Sequence, residues 1–316
     1  MRPGDRVSLR VRSLAGPRDV VGELVAAGPT TLSVRRRDGE IEHIAVDDVE
    51  AGRVVPPGPE RTIGVAELQR IAAEGWRAPT VDRLGGWLLR EAGGVTGRAN
   101  SALPLGDPGV ELPSAVATVT RWYTERELPP MFQLPSAEVD PALEPLLDNE
   151  GWVASPGVHV MTAALGAALR RGGGDVHVSV DDVPSDGWLA RWRASADPDS
   201  ARRLLTNHDR VVFGSVVDGG EVVATARASV DGRWTGLFCV AVAASHRRQG
   251  LGRAVSLVVL RRAVELGARF SYLQTETDNA AAITLYTDLG YRVHHDYVYR
   301  STTASPRSLR GDFDEP

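Results

Sequence analysis

The 316-residue sequence predicts an α+β protein whose sheet is mainly antiparallel and flanked by helices. Two patterns favour this fold class: residues 1–50 contain short runs of alternating apolar residues, and later segments alternate helix-period with strand-period apolar residues. The length exceeds what one hydrophobic core normally covers. We therefore predict four regions, at residues 1–55, 60–165, 175–301 and 302–316.

The first region, residues 1–55, is predicted to form a small SH3-like β-barrel. Its apolar residues alternate along short runs, as at residues 7–11, and turn residues separate the runs. The dipeptide Asp38-Gly39 is a typical hairpin turn. The proline-rich residues 56–59 are predicted to form a stiff linker to the next region.

The second and third regions alternate helix and strand patterns. In residues 60–165 we predict helices at 66–74, 114–127 and 142–150 and strands at 86–91, 99–103, 131–134 and 158–163. In residues 175–301 we predict helices at 187–194, 199–206, 251–266 and 280–289 and strands at 176–180, 210–217, 221–230, 234–242, 270–276 and 293–299. Residues 302–316 are polar and charged and are predicted to form a flexible tail.

One short pattern occurs twice in the sequence. Phe132-Gln133-Leu134 precedes a helix pattern that ends at Gly151-Trp152, and Tyr272-Leu273-Gln274 precedes one that ends at Gly290-Tyr291. This repetition indicates two copies of one supersecondary unit. The first copy lacks the glycine turn described below, so we predict a degenerate lobe followed by a functional one. Such a chain would be a pseudo-symmetric monomer, or alternatively would form a homodimer.

Composition limits the class of function. A formal net charge of -5 argues against a protein built to bind nucleic acid. Every basic residue is arginine, which removes lysine as a nucleophile or base. Cys239 is the only cysteine, so we expect a reducing, cytoplasmic environment. We expect no membrane span and no metal site, because neither a long apolar run nor metal-ligand spacing is present.

A glycine turn joins a strand pattern to a helix pattern at residues 243–252. The apolar strand ends at Val242, Gly250 and Gly252 lie in the turn, and a helix pattern begins directly after Gly250. Unpaired amides at a helix start, together with the helix dipole, favour a diphosphate ligand. Glycine lets the backbone approach that ligand, and Gly250 and Gly252 also tolerate positive φ where the strand bends into the helix.

Arg247-x-x-Gly250-x-Gly252 resembles the cofactor motif of the GNAT superfamily of N-acetyltransferases. Downstream, Asn279, Leu285-Tyr286 and Leu289-Gly290-Tyr291 resemble the second signature of that family. The resemblance implies a GNAT fold and acetyl-CoA as the acetyl donor. The residues that it implies in cofactor binding are Val240, Ala241, Val242, Arg247, Arg248, Gln249, Gly250, Leu251, Gly252, Arg253, Asn279, Ala282 and Tyr286.

The resemblance also implies direct attack of an amine on the thioester, without a covalent enzyme intermediate. Tyr286 is expected to donate the proton to the departing thiolate, a role suited to a tyrosine hydroxyl. The general base stays open between Glu276, acting through a water, and His246. The strand before the turn offers no carboxylate at residues 235–239.

The layout of barrel, degenerate lobe and GNAT lobe resembles a group of actinobacterial acetyltransferases that includes N-acetylglutamate synthases. This resemblance implies glutamate as an acceptor and a place in arginine synthesis. Arginine forks suit a dicarboxylate, and Arg227, with Arg98 and Arg121, is a candidate to bind one. The alternatives are another small amine, a protein or peptide amine, or a non-catalytic acetyl-CoA sensor whose barrel binds a partner.

Overall fold

The computed structural model describes residues 1–13, 16–36, 40–55, 63–170, 176–193 and 197–302. The predicted turn at Asp38-Gly39, the linker at residues 56–59 and all but the first residue of the predicted tail lie outside the described residues. The chain forms two compact units, Met1–Ile63 and Gly64–Pro316.

The first unit is a five-stranded antiparallel sheet with the order β4-β3-β2-β1-β5. Alternate apolar residues of its strands, including Val7, Leu9 and Val34, are fully buried, as the period of a strand requires. A short 3-10 helix, Val46–Asp48, precedes the last strand. The strands are β1 Arg6–Val11, β2 Arg18–Ala27, β3 Thr31–Arg35, β4 Ile41–Ala45 and β5 Val49–Val54.

The second unit contains a 12-stranded mixed sheet with helices packed against it. Its strands are β6 Thr80–Leu84, β7 Trp87–Glu91, β8 Ala102–Leu103, β9 Met131–Pro135, β10 Val153–Ala154, β11 Val158–Ala164, β12 Ser179–Asp181, β13 Val211–Asp218, β14 Glu221–Asp231, β15 Trp234–Val242, β16 Phe270–Glu276 and β17 Arg292–Ser301. Its helices are α1 Val65–Gly75, α2 Leu112–Thr124, α3 Leu143–Asn149, α4 Leu165–Leu169, α5 Asp186–Arg193, α6 Pro198–Thr206, α7 Leu251–Glu265 and α8 Ala280–Asp288. The predicted α+β fold is thereby confirmed.

The strands of this sheet lie in the order β12-β13-β14-β15-β16-β11-β17-β9-β8-β7-β6, and β10 pairs with β17. We call residues 64–170 the first half and residues 176–302 the second half. In both, three consecutive strands are followed by a helix, a strand, a helix and a long last strand; the first half also has the two-residue β10 before its last strand and α4 after it. The last strands are exchanged: β11 of the first half pairs with β16, and β17 of the second half pairs with β9. The boundaries predicted at residues 165 and 175 therefore fall inside one compact unit.

Several local elements differ from those expected, among them the two-residue strand β10, which was not predicted. The predicted strand at residues 99–103 is a 3-10 turn, Gly97–Ala99, followed by the two-residue β8. Strand β6 was not predicted, because its residues lie largely exposed and lack apolar alternation. The short helix α4 was not predicted either, since its apolar run continues directly from β11.

Candidate active site

A cleft opens in the sheet between β15 and β16. The two strands pair in parallel from Trp234 with Phe270 to Leu237 with Leu273, and both continue beyond this point. A bulge at Cys239, whose φ is +56°, bends β15 where its pairing with β14 shifts register. Residues 238–242 of β15 and 274–276 of β16 therefore form the two sides of the cleft.

The glycine turn follows β15 directly. A 3-10 turn, Ala244–His246, leads to Arg248 and Gly250, whose φ angles are +62° and +81°. Gly250 is the N-cap of α7 and no side chain caps this helix, so its first amides have no intrahelical acceptor. Gly252 is the second residue of α7 and has no positive φ. In this turn the two residues with positive φ are Arg248 and Gly250.

Arginine side chains surround the start of α7. Arg248 is exposed, Arg247 and Arg253 are half-buried, and Arg247 Nε donates to the carbonyl oxygen of Val242 at 3.4 Å. Gln249 is exposed, whereas Ala241, Val242, Leu251 and Gly252 are buried, and Val240 is half-buried. The charges of these side chains add to the positive end of the helix dipole. The turn therefore combines amides that lack an intrahelical acceptor with a positive electrostatic potential.

The predicted proton donor, Tyr286, lies on α8 and is buried. It is hydrogen-bonded to Ser256 of α7, whose hydroxyl donates to the carbonyl oxygen of Gly252 at 2.7 Å. Burial raises the pKa of Tyr286 above its ordinary value, so the hydroxyl stays protonated at neutral pH. The structure thus joins Tyr286 to the first turns of α7 through one hydroxyl.

The start of α8 is fixed by Asn279. Its side-chain oxygen accepts from the backbone N–H of Ala282 at 3.0 Å, which makes it the N-cap of the helix. Both residues are buried. The side-chain oxygen of Asn279 is therefore engaged within the protein, and its amide nitrogen is the group suited to donate to a ligand.

The two candidate bases occupy different places. Glu276 is the last residue of β16, at the open end of the cleft, and is half-buried. His246 lies in the turn, where its Nε2 is 3.1 Å from Asp218 Oδ2 and its Nδ1 is 2.8 Å from Ser245 Oγ. Glu276 therefore lies in the cleft itself, whereas His246 lies in the turn that follows β15.

The three arginines considered for substrate binding differ in burial. Arg227 on β14 is fully buried, Arg98 is 6% exposed, and Arg121 on α2 is exposed. Arg98 Nη1 donates to Gln274 Oε1 at 3.2 Å, which places Arg98 at the cleft although it belongs to the first half. Sequence patterns gave no signal for Gln274 as a site residue, since only the folded chain brings it to Arg98.

Two negative findings concern the described part of the chain. In it, no group of three or more His, Cys, Asp and Glu side chains could hold a metal ion. No helix built from these residues has the length and apolar character to cross a membrane.

Comparisons with known proteins identify the family. Residues 62–300 match the family model described as probable histone acetyltransferase Rv0428c, C-terminal, and residues 1–53 match the Rv0428c N-terminal Sm-like domain. The first unit is thus matched as Sm-like, not as the SH3-like barrel that was expected. The chain is 32% identical to "Probable histone acetyltransferase Rv0428c" of Mycobacterium tuberculosis over 308 residues, 94% of each chain.

Other similarities agree with this family. The chain is 26% identical to "Uncharacterized N-acetyltransferase YobR" of Bacillus subtilis, over 75% of this chain and 98% of that one. A solved structure of a GCN5-related N-acetyltransferase from Kribbella flavida shares the fold, with a TM-score of 0.59 and 21% identity over 77% of this chain and 97% of that one. The chain belongs to the Rv0428c family of GNAT N-acetyltransferases.

Proposed function

We propose that this protein moves the acetyl group of acetyl-CoA directly to a primary amine. The observation that carries the proposal is the glycine turn beside the cleft, where no side chain caps α7, so that its first amides lack an intrahelical acceptor, and arginine side chains lie around them. These residues fit a diphosphate, because converging N–H groups and positive charge are what such a ligand requires. The backbone of Val240 and Val242, on the cleft side of β15, would hold the pantetheine arm.

The reaction needs three proton and charge steps around a bound thioester and amine. Glu276 accepts the ammonium proton through a water, and the free amine forms a bond to the carbonyl carbon. As the carbon–sulfur bond breaks, the nitrogen loses its second proton to solvent, and this proton balances the one that Tyr286 gives away. Tyr286 then gives its proton to the departing thiolate. The raised pKa of Tyr286 keeps the hydroxyl protonated at neutral pH, as a proton donor must be, although it also makes the hydroxyl a weaker acid.

The acceptor amine has three candidate classes: glutamate, another small amine, and a protein or peptide amine. Glutamate was the expectation from the domain layout, but the relatives found are described by other acceptors. One relative is described as "Probable histone acetyltransferase". Another is "[Ribosomal protein bS18]-alanine N-acetyltransferase" of Escherichia coli, which is 33% identical over 100 residues; these make up 31% of this chain and 68% of that protein. Protein amines and free amino acids therefore both enter the test. A place in arginine synthesis, a cytoplasmic location and an SH3-like barrel stay predictions.

The cofactor site is tested by Gly250→Asp, which adds a negative charge at the start of α7. Calorimetric titration with coenzyme A should show affinity reduced about 100-fold, because repulsion and displaced amides remove several charge-assisted hydrogen bonds. Gly109→Asp is the matched control: Gly109 precedes α2 in the first half, has φ +77°, and has open space around its missing Cβ, as Gly250 does. Unchanged affinity in Gly250→Asp would contradict the site.

The activity is tested by release of free thiol from acetyl-CoA. The acceptors are glutamate, alanine, a polyamine, a lysine-containing peptide and a peptide with N-terminal alanine. Thiol release above the rate without amine, abolished in Gly250→Asp, is the expected result. Binding of coenzyme A without thiol release for any amine would favour the sensor alternative.

A further inference from the structure

The described interior of the second unit contains buried arginines but no buried carboxylate. The arginines are Arg90, Arg98 and Arg227, and none of the described Asp or Glu side chains is buried. Burying a guanidinium without an anionic partner costs free energy unless acceptors surround it. Arg90 has such acceptors, since it donates to the carbonyl and hydroxyl oxygens of Ser101 and to Gln133 Oε1.

Arg98 and Arg227 lie against the same two aromatic rings. The guanidinium carbon of Arg98 is 5.0 Å from the Trp76 ring centroid and 5.5 Å from that of Phe238. The same distances for Arg227 are 5.1 Å and 5.4 Å. Cation–π contacts stabilise these charges but supply no hydrogen-bond acceptor. Burial foremost, and the charge of Arg98, lower the pKa of Arg227 to about 10, which still leaves it charged at neutral pH.

One nitrogen of the Arg227 guanidinium group has no hydrogen-bond partner among the described residues. Its Nε donates to the carbonyl oxygen of Leu205 at 2.9 Å and its Nη1 to that of Gly75 at 3.1 Å, at the ends of α6 and α1. Its Nη2 is buried and has no hydrogen-bond partner among the described residues. A buried donor without an acceptor costs free energy, so a ligand oxygen that bonded to this nitrogen would stabilise the protein.

Arg98 spans the cleft at the point where the strands separate. Phe238 and Gln274 are the first residues beyond the last paired residues of β15 and β16. Arg98 lies over the Phe238 ring and donates to Gln274 Oε1, which also accepts from the Tyr297 hydroxyl at 3.1 Å. Because Arg98 is 6% exposed and Arg227 is fully buried, a ligand in the cleft meets Arg98 first.

We infer that Arg98 and Arg227 bind a carboxylate of the acceptor, and that the acceptors are small amines with a carboxylate. Guanidinium groups recognise carboxylates by paired, charge-assisted hydrogen bonds. The same two positive charges repel a polybasic peptide, which excludes lysine-rich tails. The inference rests on the proposed acetyl transfer and adds its substrate class; it also gives the first half a share in the site through Arg98.

The test compares acceptors in which a carboxylate is replaced by an amide, and adds one acceptor with a high positive charge. Alanine against alaninamide probes the α-carboxylate, glutamate against glutamine probes a side-chain carboxylate, and a tetralysine peptide probes a cationic acceptor. In at least one pair, kcat/KM for the carboxylate should exceed that for the amide by about tenfold or more, with the peptide slowest. Equal values within both pairs, or a preference for tetralysine, would overturn the inference.

Arg98→Gln is the main variant, because Arg227→Gln would also leave the carbonyl groups of Gly75 and Leu205 without donors. Arg98→Gln should lose the preference for the carboxylate, and Arg98→Lys should keep part of it. Arg121→Gln removes an exposed arginine of the same half and should change nothing. Coenzyme A affinity should be equal in all three variants, which shows that they are folded.

Failure of acetyl transfer itself is distinguishable from failure of this inference. If coenzyme A binds but no amine yields thiol, the proposed function is wrong, and the same acceptor pairs are titrated calorimetrically into the coenzyme-bound protein. Binding of the carboxylate member alone, lost in Arg98→Gln, would still support the arginine site. No binding by any of them would overturn it.

Discussion

The two halves of the second unit share a backbone but differ in the residues that chemistry would use. Gly151 and Gly290 both have positive φ, and the following aromatic residue donates its N–H at 2.9 Å to the residue five positions earlier. In the first half that acceptor is Leu147, and in the second it is Tyr286. Both side chains are buried, so either residue satisfies the packing. The Tyr286 hydroxyl is therefore an addition that packing does not require.

The helix starts differ in the same sense. The N-cap of α2 is Glu111, and Pro113 lies in its first turn. The negative charge of Glu111 repels an anion there, and the proline has no N–H to donate to one. The N-cap of α7 is Gly250, with arginines around it. The first half therefore keeps the scaffold of the unit without the glycine turn, and it contributes β11 and Arg98 to the second half.

Tyr286→Phe gives the largest expected effect and makes the second half resemble the first. The ring still fills the core, but the proton donor is lost, so kcat should fall about 100-fold. Coenzyme A affinity should not change, because the glycine turn is intact. Steady-state kinetics with the best acceptor from the thiol-release screen, together with calorimetry, measure both quantities.

Tyr291→Phe is the control for that variant. Tyr291 is also buried, its ring lies 5.8 Å from that of Tyr286, and its hydroxyl donates to Ser271 Oγ. Its loss should lower stability while leaving kcat within about twofold of the wild-type value. Similar kcat values for Tyr286→Phe and the unaltered protein would remove Tyr286 as the acid.

Val119→Ala and Val259→Ala test whether the halves unfold together. Each valine is fully buried, in α2 and α7 respectively, so each change should cost about 2 kcal/mol of unfolding free energy. Because β11 and β17 are exchanged, either change should reduce amide protection equally in β9 and β16. Hydrogen exchange with mass spectrometry measures this. Loss of protection confined to the altered half would show that the halves are independent.

Local patterns predicted much of the second half, and the physical reason is visible in single elements. Strand β16 was predicted with its observed bounds, because its apolar run is short and ends in polar residues. Helix α7 was predicted to within one residue, since its apolar period is continuous up to Gly267. The positions proposed for the cofactor follow instead from the resemblance to the GNAT motifs, and their roles stay predictions.

The pairing of strands that are distant in the chain could not be predicted from the sequence. The apolar alternation of β11 is the same whichever strand lies beside it, so nothing local shows that it inserts between β16 and β17. The contact of Arg98 with Gln274 likewise joins residues distant in the chain. Arginine was considered for substrate binding from its chemistry alone, and only the fold separates buried Arg98 and Arg227 from exposed Arg121.

Glu276→Gln tests the base at the open end of the cleft. The amide cannot accept the ammonium proton, so kcat/KM at neutral pH should fall about tenfold and the acidic limb of the pH profile should disappear. His246→Gln, which alters the other candidate, should leave that limb in place. An unchanged acidic limb in Glu276→Gln would remove Glu276 as the base.

His295→Gln gives the smallest expected effect and concerns the junction of the halves. His295 on β17 is buried and its Nε2 accepts from Gln69 Nε2 of α1 at 2.7 Å, while Gln69 Oε1 accepts from Gln133 of β9. Burial foremost, and the neighbouring His294, lower the pKa of His295 to about 4, against an opposing effect of Asp296. The folded protein therefore resists a proton that the unfolded chain binds below pH 6.5.

The sign of the pH dependence follows from that difference. Stability is complete above pH 6.5 and is lost as the pH falls towards 4, by about 1 kcal/mol at pH 6 from this residue. Urea unfolding at pH 7.5 and 6 should show a smaller decrease for His295→Gln than for the unaltered protein. Part of the decrease should remain, because burial also lowers the pKa of His208. His177→Gln, an exposed control, should behave as the unaltered protein does. An equal decrease in His295→Gln would show that this junction does not couple the halves to pH.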